Sequence, residues 1–269
     1  MSEFYKRLLS GIVYVIVLIS GIIFHEYAFL TVVVMLSIIC LWEFKRLIHL
    51  KREILLYPLL IFGLVIYHFL EIPRVITLFM LGTTIITQLL LLYDLIYIRI
   101  IPMFEKKKYI VIIFYLISNF IFMSLIPFSI NGSYQPIFIL GIFILIWVND
   151  SFAYLTGKNL GKHKLYERIS PKKTIEGFVG GLVFSILASI VLAQFSQELN
   201  VWKWIGFSII VSFFGTIGDL IQSKFKRQAG VKDSGTIMPG HGGIFDRLDS
   251  VLYASPFVFL FLQIVNYVS

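Results

Sequence analysis

Residues 202–228 read WKWIGFSIIVSFFGTIGDLIQSKFKRQ. An apolar run long enough to cross ~30 Å of hydrocarbon passes, within one segment, into a polar and basic end. Such a stretch reads as a single helix that crosses a membrane and emerges among lipid headgroups. Similar runs fill the rest of the chain. Of its 269 residues 58% are hydrophobic and only 14% charged, with a mean hydropathy of +0.90, far from a soluble domain. Apolar runs near 8–24, 27–42, 54–70, 75–97, 109–128, 136–156, 175–195, 202–222 and 250–267 predict an all-α integral membrane protein of about nine transmembrane helices. Residues 1–130 hold spans one to five. Residues 131–269 hold spans six to nine and two polar segments, 157–174 and 223–249. Pro58, Pro127 and Pro256 lie in or at the ends of these runs, where a kink is expected.

The charges are sided. All but two of the 23 Lys and Arg residues fall in alternate breaks between spans, and only Arg74 and Lys203 fall in the others. The positive-inside rule makes the rich side cytoplasmic. The N-terminus is then inside, the C-terminus outside, and both polar segments face the cytoplasm. The net charge of +8 follows from this topology and needs no nucleic-acid partner. The basic face suits anionic headgroups. Lys6 and Arg7 before the first run resemble a secretory signal. No small-residue cleavage site follows and many spans do, so a retained helix is expected. A single cysteine, Cys40, excludes a disulfide within the chain and reads as a packing residue.

The polar segments carry the chemistry. Asp219 sits about a turn inside the membrane boundary, where a carboxylate must be paired or bind a cation. Ser223 and Lys226, four and seven residues on, share its face. Either an Asp–Lys pair or a metal site follows. Asp246 and Asp249, three apart at the start of the last helix, project from one face; the helix dipole accounts for one of them. With Asp233 and Asp219 they make more acid than capping needs. Clustered carboxylates suit Mg²⁺, a hard cation that keeps phosphate oxygens in its shell, and hence metal-assisted phosphoryl or nucleotidyl transfer. In the glycine-rich SGTIMPGHGG, 234–243, backbone amides can approach a ligand, or the segment is an ordinary turn. There is no HExxH and no Cys–His set, which argues against zinc.

In the other segment Asp150 lies in the cytoplasmic half of its span and is a functional candidate by position. SPKKT, 170–174, sets Lys172 and Lys173 between Ser170 and Thr174 just before a helix starting near Ile175. That is a natural anion site, or plain positive-inside lysine with a Thr174 N-cap. Gly177 and Gly181 read as helix packing. GKNLGKH is not a Walker A loop, having three residues between its glycines and His163 where Ser or Thr is required. Glu43 and Asp94, near span ends, receive no role.

Residues 223–249, SKFKRQAGVKDSGTIMPGHGGIFDRLD, resemble the signature of the phosphatidate cytidylyltransferase (CDP-diacylglycerol synthase) family over 27 residues of fixed spacing. NDSFAYLTGKNLGK and SPKKTIEG resemble its second block, and the nine-span layout fits. Met238 stands where that family usually has Ile, Leu or Phe. The resemblance implies transfer from CTP to phosphatidic acid, giving CDP-diacylglycerol and pyrophosphate, in an integral protein of the bacterial inner membrane. It implies Mg²⁺, with K⁺ as a second ion. Asp219 and Asp246 match the principal acidic ligands, with Asp249 and Asp150 as supporting or alternative ones.

The phosphates are expected among Ser170, Lys172, Lys173, Thr174, Lys226, Arg227, Lys232, Arg247 and His241, with pyrophosphate at the amides of Gly240–Gly243, including Gly242. The catalytic set is Asp219, Asp246, Lys172, Lys173 and Arg247. CTP, phosphatidic acid and the bilayer are the expected partners, and a homodimer is left open. Two other functions are weighed. One is a CTP-dependent kinase of a polyprenol-type lipid alcohol, which would move the γ-phosphoryl group. The other is an ion or solute transporter using Asp94, Asp150 and Asp219, disfavoured because no repeat is evident and the acids gather at one surface.

Overall fold

A computed structural model of the chain describes residues 3–50, 54–130, 132–196 and 198–268. Lys51 and Arg52, which entered the charge count, lie outside the described residues. The helices are α1 (Glu3–Phe24), α2 (Glu26–Leu47), α3 (Leu56–Phe69), α4 (Arg74–Tyr97), α5 (Glu105–Val111), α6 (Ser118–Leu125), α7 (Pro136–Leu160), α8 (Ile175–Ala193), α9 (Val201–Gln228) and α10 (Phe245–Val268). A π-helical turn, Ile112–Ile117, joins α5 to α6. Together with the short turn Ile126–Phe128 they make one apolar span, and Pro127 sits at its end as expected.

Every run read as a helix is a helix. Among the described residues eight are long and apolar enough, by length and composition, to cross a membrane. The exception to nine is α3. At 14 residues it is about 21 Å long, short of the ~30 Å hydrocarbon core. The run 54–70 is apolar throughout, but the helix within it stops at Phe69, ahead of Pro73. The all-α class has one further exception. Lys164–Tyr166 (β1) and Ser170–Thr174 (β2) form an antiparallel hairpin, so SPKKT is a strand.

Helix starts follow local chemistry. His25 is extended between α1 and α2, and its Nδ1 accepts the Tyr27 amide at 3.3 Å. Pro136 opens α7, where its fixed φ and missing N–H cost nothing. Thr174 is extended and its Oγ1 accepts the Gly177 amide at 3.1 Å, the N-cap expected from SPKKT. Pro256 lies inside α10.

The chain packs into two compact units that are not continuous in sequence. The first takes residues 1–125 with 224–249, the second 126–223 with 250–269. The division at 130/131 drawn from the sequence concerns where the chemistry lies, which packing does not test. In the first unit Phe44 is fully buried among Tyr115, Phe225 and Phe245, with ring centroids 5.3–5.7 Å away. Lys224, at the end of α9, donates to the carbonyls of Asp94 and Ile98 at the end of α4, each at 2.5 Å. Asp94 itself pairs with Lys107 at 2.5 Å.

In the second unit buried Trp204 packs on Phe138 and Phe207, and Phe214 stacks on Phe257. Here α7 and α8 run in close contact. A Cβ on Gly177 would stand 2.7 Å from the Ala153 carbonyl, and one on Gly181 2.6 Å from the Asn149 carbonyl. These are the packing glycines the spacing suggested. Gly181→Val should push α8 from α7 and destabilise the protein by roughly 1–3 kcal/mol. Thermal unfolding in detergent tests this; an unchanged midpoint would show the contact to be dispensable.

Candidate active site

Most of the candidate residues gather in two clusters, one in each compact unit. The first cluster surrounds a cavity of about 610 Å³ in the second unit. Its walls come from α7, the hairpin, the first turn of α8 and the polar part of α9. Lys158, Lys164, Lys172 and Lys173 line it together with two carboxylates, Asp150 and Asp219. Lysines outnumber acids there, so the cavity favours an anion carrying several charges. Lys173 is ion-paired with Asp219, each side chain about one-third exposed, at 29% and 32%. Ser223 donates to Asp219 Oδ1 at 3.2 Å, as the i+4 spacing implied. Asp219 is therefore in an Asp–Lys pair, but its partner comes from β2 and not from Lys226.

The hairpin that presents Lys172 and Lys173 is held from both ends. Glu176, in the first turn of α8, accepts the amides of Lys162 and His163 at 3.1 and 3.2 Å and pairs with His163 Nδ1 at 2.6 Å. Lys164 Nζ donates to the Pro171 carbonyl at 2.8 Å. The Thr174 oxygen serves its own helix and packs against Gly157, so it positions the strand rather than offering itself to a phosphate.

The second cluster, in the first unit, is the loop between α9 and α10. Asp246 is engaged at both oxygens. Oδ1 accepts Lys226 Nζ at 2.8 Å. Oδ2 accepts the amides of Ser234 and Gly243 at 2.8 and 2.9 Å and lies 3.0 Å from Ser234 Oγ. Beside it stands Glu43, fully buried at the end of α2. It accepts the amides of Ile244 and Phe245 at 3.1 and 2.8 Å, and the Ser234 hydroxyl at 3.1 Å. Two carboxylates thus meet the donors at the start of α10, where its dipole favours negative charge.

The glycines here serve those carboxylates. Gly242 has φ +85°, which side-chain-bearing residues avoid, and a Cβ on Gly243 would collide with Ser234 and Glu43. The amides of His241 and Gly243 are bonded to the Met238 carbonyl and to Asp246. A pyrophosphate cradle built on these two amides is therefore not available in this conformation.

Other candidates shape the same loop. Arg247 donates to the His241 carbonyl at 2.7 Å, and Arg227 to the Val231 carbonyl at 3.2 Å. Lys232 is exposed, and Asp249 is buried one turn into α10. His241 is lowered from its ordinary pKa, first by burial and then by Arg247 and Arg7, so the ring is neutral at pH 7. Its Nδ1 lies 3.0 Å from Ser10 Oγ on α1.

The four acids named as metal ligands divide between the units: Asp150 and Asp219 in one, Asp246 and Asp249 in the other. Among the described residues no group of three or more His, Cys, Asp or Glu side chains could hold a metal by itself. Mg²⁺ does not require such a cage; one or two carboxylates with substrate phosphates and water suffice. Asp219 and Asp150, which both line that cavity, fit that description, with the Lys173 ammonium marking a cation position at Asp219. At Asp246 the corresponding position is held by Lys226. Glu43 and Glu176 are the residues that the sequence reading passed over. For Glu43 the signal was present, since an acid within a span is a functional candidate by position.

A cytidylyltransferase family model matches residues 5–265. The chain belongs to that family. It is also 50% identical over 126 residues to a phosphatidate cytidylyltransferase of Staphylococcus aureus (strain COL), and 50% identical over the same length to that of Staphylococcus haemolyticus. Each match covers 46% of this chain and 48% of the relative, so the chain spans about half the length of the curated relatives it matches.

Glu43→Ala would leave two buried amides without their acceptor, while the Ser234 hydroxyl keeps Asp246. Unsatisfied buried groups cost about 1–3 kcal/mol each. The loop 229–244 should then become sensitive to limited proteolysis while α7 and α8 stay protected. Equal protection of the loop in both proteins would show that Glu43 does not hold it.

Proposed function

We propose that this protein transfers the cytidylyl group of CTP to phosphatidic acid, releasing pyrophosphate and forming CDP-diacylglycerol. Family membership and the names of the relatives support the reaction class. The observation that carries it is the cavity of the second unit, where four lysines and two acids stand at the polar ends of apolar helices. A triphosphate and a lipid phosphate are both anions, and a site for their reaction must offset repulsion between them.

The reaction joins an oxygen of the phosphate monoester to the α-phosphorus of CTP and breaks the bond to pyrophosphate. That oxygen is already anionic at neutral pH, so no strong general base is required. Lys172, exposed on β2, and Lys158 on α7 are suited to triphosphate oxygens. Lys173, now on Asp219, would move to a phosphate once a cation takes its place. Asp219 would hold Mg²⁺ with Asp150 in support; in the other unit, Asp246 would accept a cation of its own in place of Lys226. When bound, the ion would offset charge on the triphosphate and the departing pyrophosphate. K⁺ is retained as a second ion on the strength of the family resemblance alone.

The positive-inside count supports a cytoplasmic N-terminus and cytoplasmic polar segments in a bacterial plasma membrane. It requires α3 to cross with the help of its flanking residues. A cysteine placed at Lys232 in a Cys40→Ala background should react with an impermeant maleimide in inverted vesicles and not in intact cells. Labelling of intact cells would reverse the orientation.

CTP labelled on the α-phosphate should pass label to the lipid, and CTP labelled on the γ-phosphate should not. Label from the γ position would make the protein a CTP-dependent lipid kinase instead. Asp219→Asn, which keeps the shape and removes the charge, should lower turnover on the order of 100-fold at saturating Mg²⁺ without changing thermal stability in detergent. Near-normal turnover would remove Asp219 from the site.

A further inference from the structure

The first unit has a second cavity, also about 610 Å³, that the proposed transfer does not use. It lies along one face of α1. Leu8, Ile12, Val15 and Ile16 form its wall, and Arg7 and His241 close one end. Its polar groups stand at that end only. From Arg7 to Ile16 the helix rises about 13 Å, close to the depth of one leaflet of a ~30 Å core.

The polar end is built rather than incidental. Ser10 Oγ lies 3.0 Å from His241 Nδ1 and within 3.1 Å of the Arg7 and Pro239 carbonyls. The hydroxyl has one proton, and the two carbonyls can only accept. Given to Nδ1, that proton leaves Nε2–H as the ring donor that faces an anionic ligand. The ring lies against α1 at Gly11, where a Cβ would be in ordinary contact with it at 3.4 Å. Arg247 fixes the His241 backbone from the other side. Among the described residues no carboxylate pairs with Arg7.

We propose that this groove binds an acidic glycerophospholipid, its phosphate at Arg7 and His241 and an acyl chain along Leu8, Ile12 and Ile16. The charge pattern selects this occupant: a guanidinium with no carboxylate partner among the described residues, beside an imidazole at headgroup level and followed by an apolar wall one leaflet deep. A purely apolar partner would leave Arg7 uncompensated, and a soluble phosphate would leave the wall unused. His241 then faces the phosphate of a lipid, not that of the nucleotide. The site goes beyond the catalytic reading and holds whether or not CMP transfer is correct.

The test is photolabelling of the full-length protein in detergent micelles by phosphatidate carrying a diazirine on one acyl chain, with diacylglycerol of the same chains as the control. Peptide mapping should find the label within residues 8–16, about fivefold stronger for phosphatidate, the factor expected for one cation at a membrane surface. Arg7→Gln should reduce phosphatidate labelling to the diacylglycerol level, and Arg7→Lys should retain it. Ile12→Trp, which fills the groove and leaves the charges, should abolish it.

Equal labelling by the two lipids, or no effect of Arg7→Gln, would show ordinary contact with bulk lipid and overturn the proposal. Displacement of the label by millimolar glycerol phosphate would overturn it in favour of a soluble phosphate ligand. Label transfer from CTP, measured on the same samples, separates a failure of this site from a failure of the catalytic assignment.

Discussion

The polar loop between α9 and α10 depends on two carboxylates held against the donors at the start of a helix. Glu43 and Asp246 accept the amides of Ser234, Gly243, Ile244 and Phe245 and share the Ser234 hydroxyl. A helix that begins at a membrane surface has amides with no partner in its own first turn. Here acids from α2 and from α10 itself supply the acceptors, and Lys226 neutralises one of them. The conformations of the glycines follow from this constraint. Gly242 turns through a positive φ, and Gly243 passes too close to Glu43 for any side chain.

The cavity in the second unit follows a different rule. Glycines bring α7 and α8 together until backbone meets backbone, and the chain between them turns back as a short hairpin. The hairpin satisfies its own backbone groups, while Glu176 accepts two more amides at its entrance. Lys172 and Lys173 are thereby carried on a braced strand rather than on a loose loop. The ion pair between Lys173 and Asp219 keeps a carboxylate of α9 tolerable near the apolar boundary. It also holds a cation where the acid is best placed to accept one.

Much of the architecture was legible from local patterns. Apolar run length located every helix, and the start at Ile175 with its Thr174 cap followed from SPKKT. The Gly177 and Gly181 contacts and the Ser223–Asp219 hydrogen bond followed from helical spacing. The hairpin was not legible, because SPKKT has no alternation of polar and apolar residues. Partner choice was also hidden. Lys226 and Lys173 are both plausible partners for Asp219 by composition, and only the fold decides that Lys226 takes Asp246. Glu43, given no role because it lies near a span end, is fully buried under a loop two hundred residues away in sequence.

The sequence by itself determined the membrane setting, the helix positions and the residues in which chemistry is concentrated. Hydropathy, helical period and charge placement act over a few turns, and each leaves a local signature. Tertiary structure alone decided which acids are satisfied and by what. It gave Asp246 to Lys226 and to the loop amides, Asp219 to Lys173, and the start of α10 to Glu43. The reason is that burying a charge in an apolar protein costs so much that each must find a partner. Which partner lies within hydrogen-bonding distance is set by packing across the whole chain.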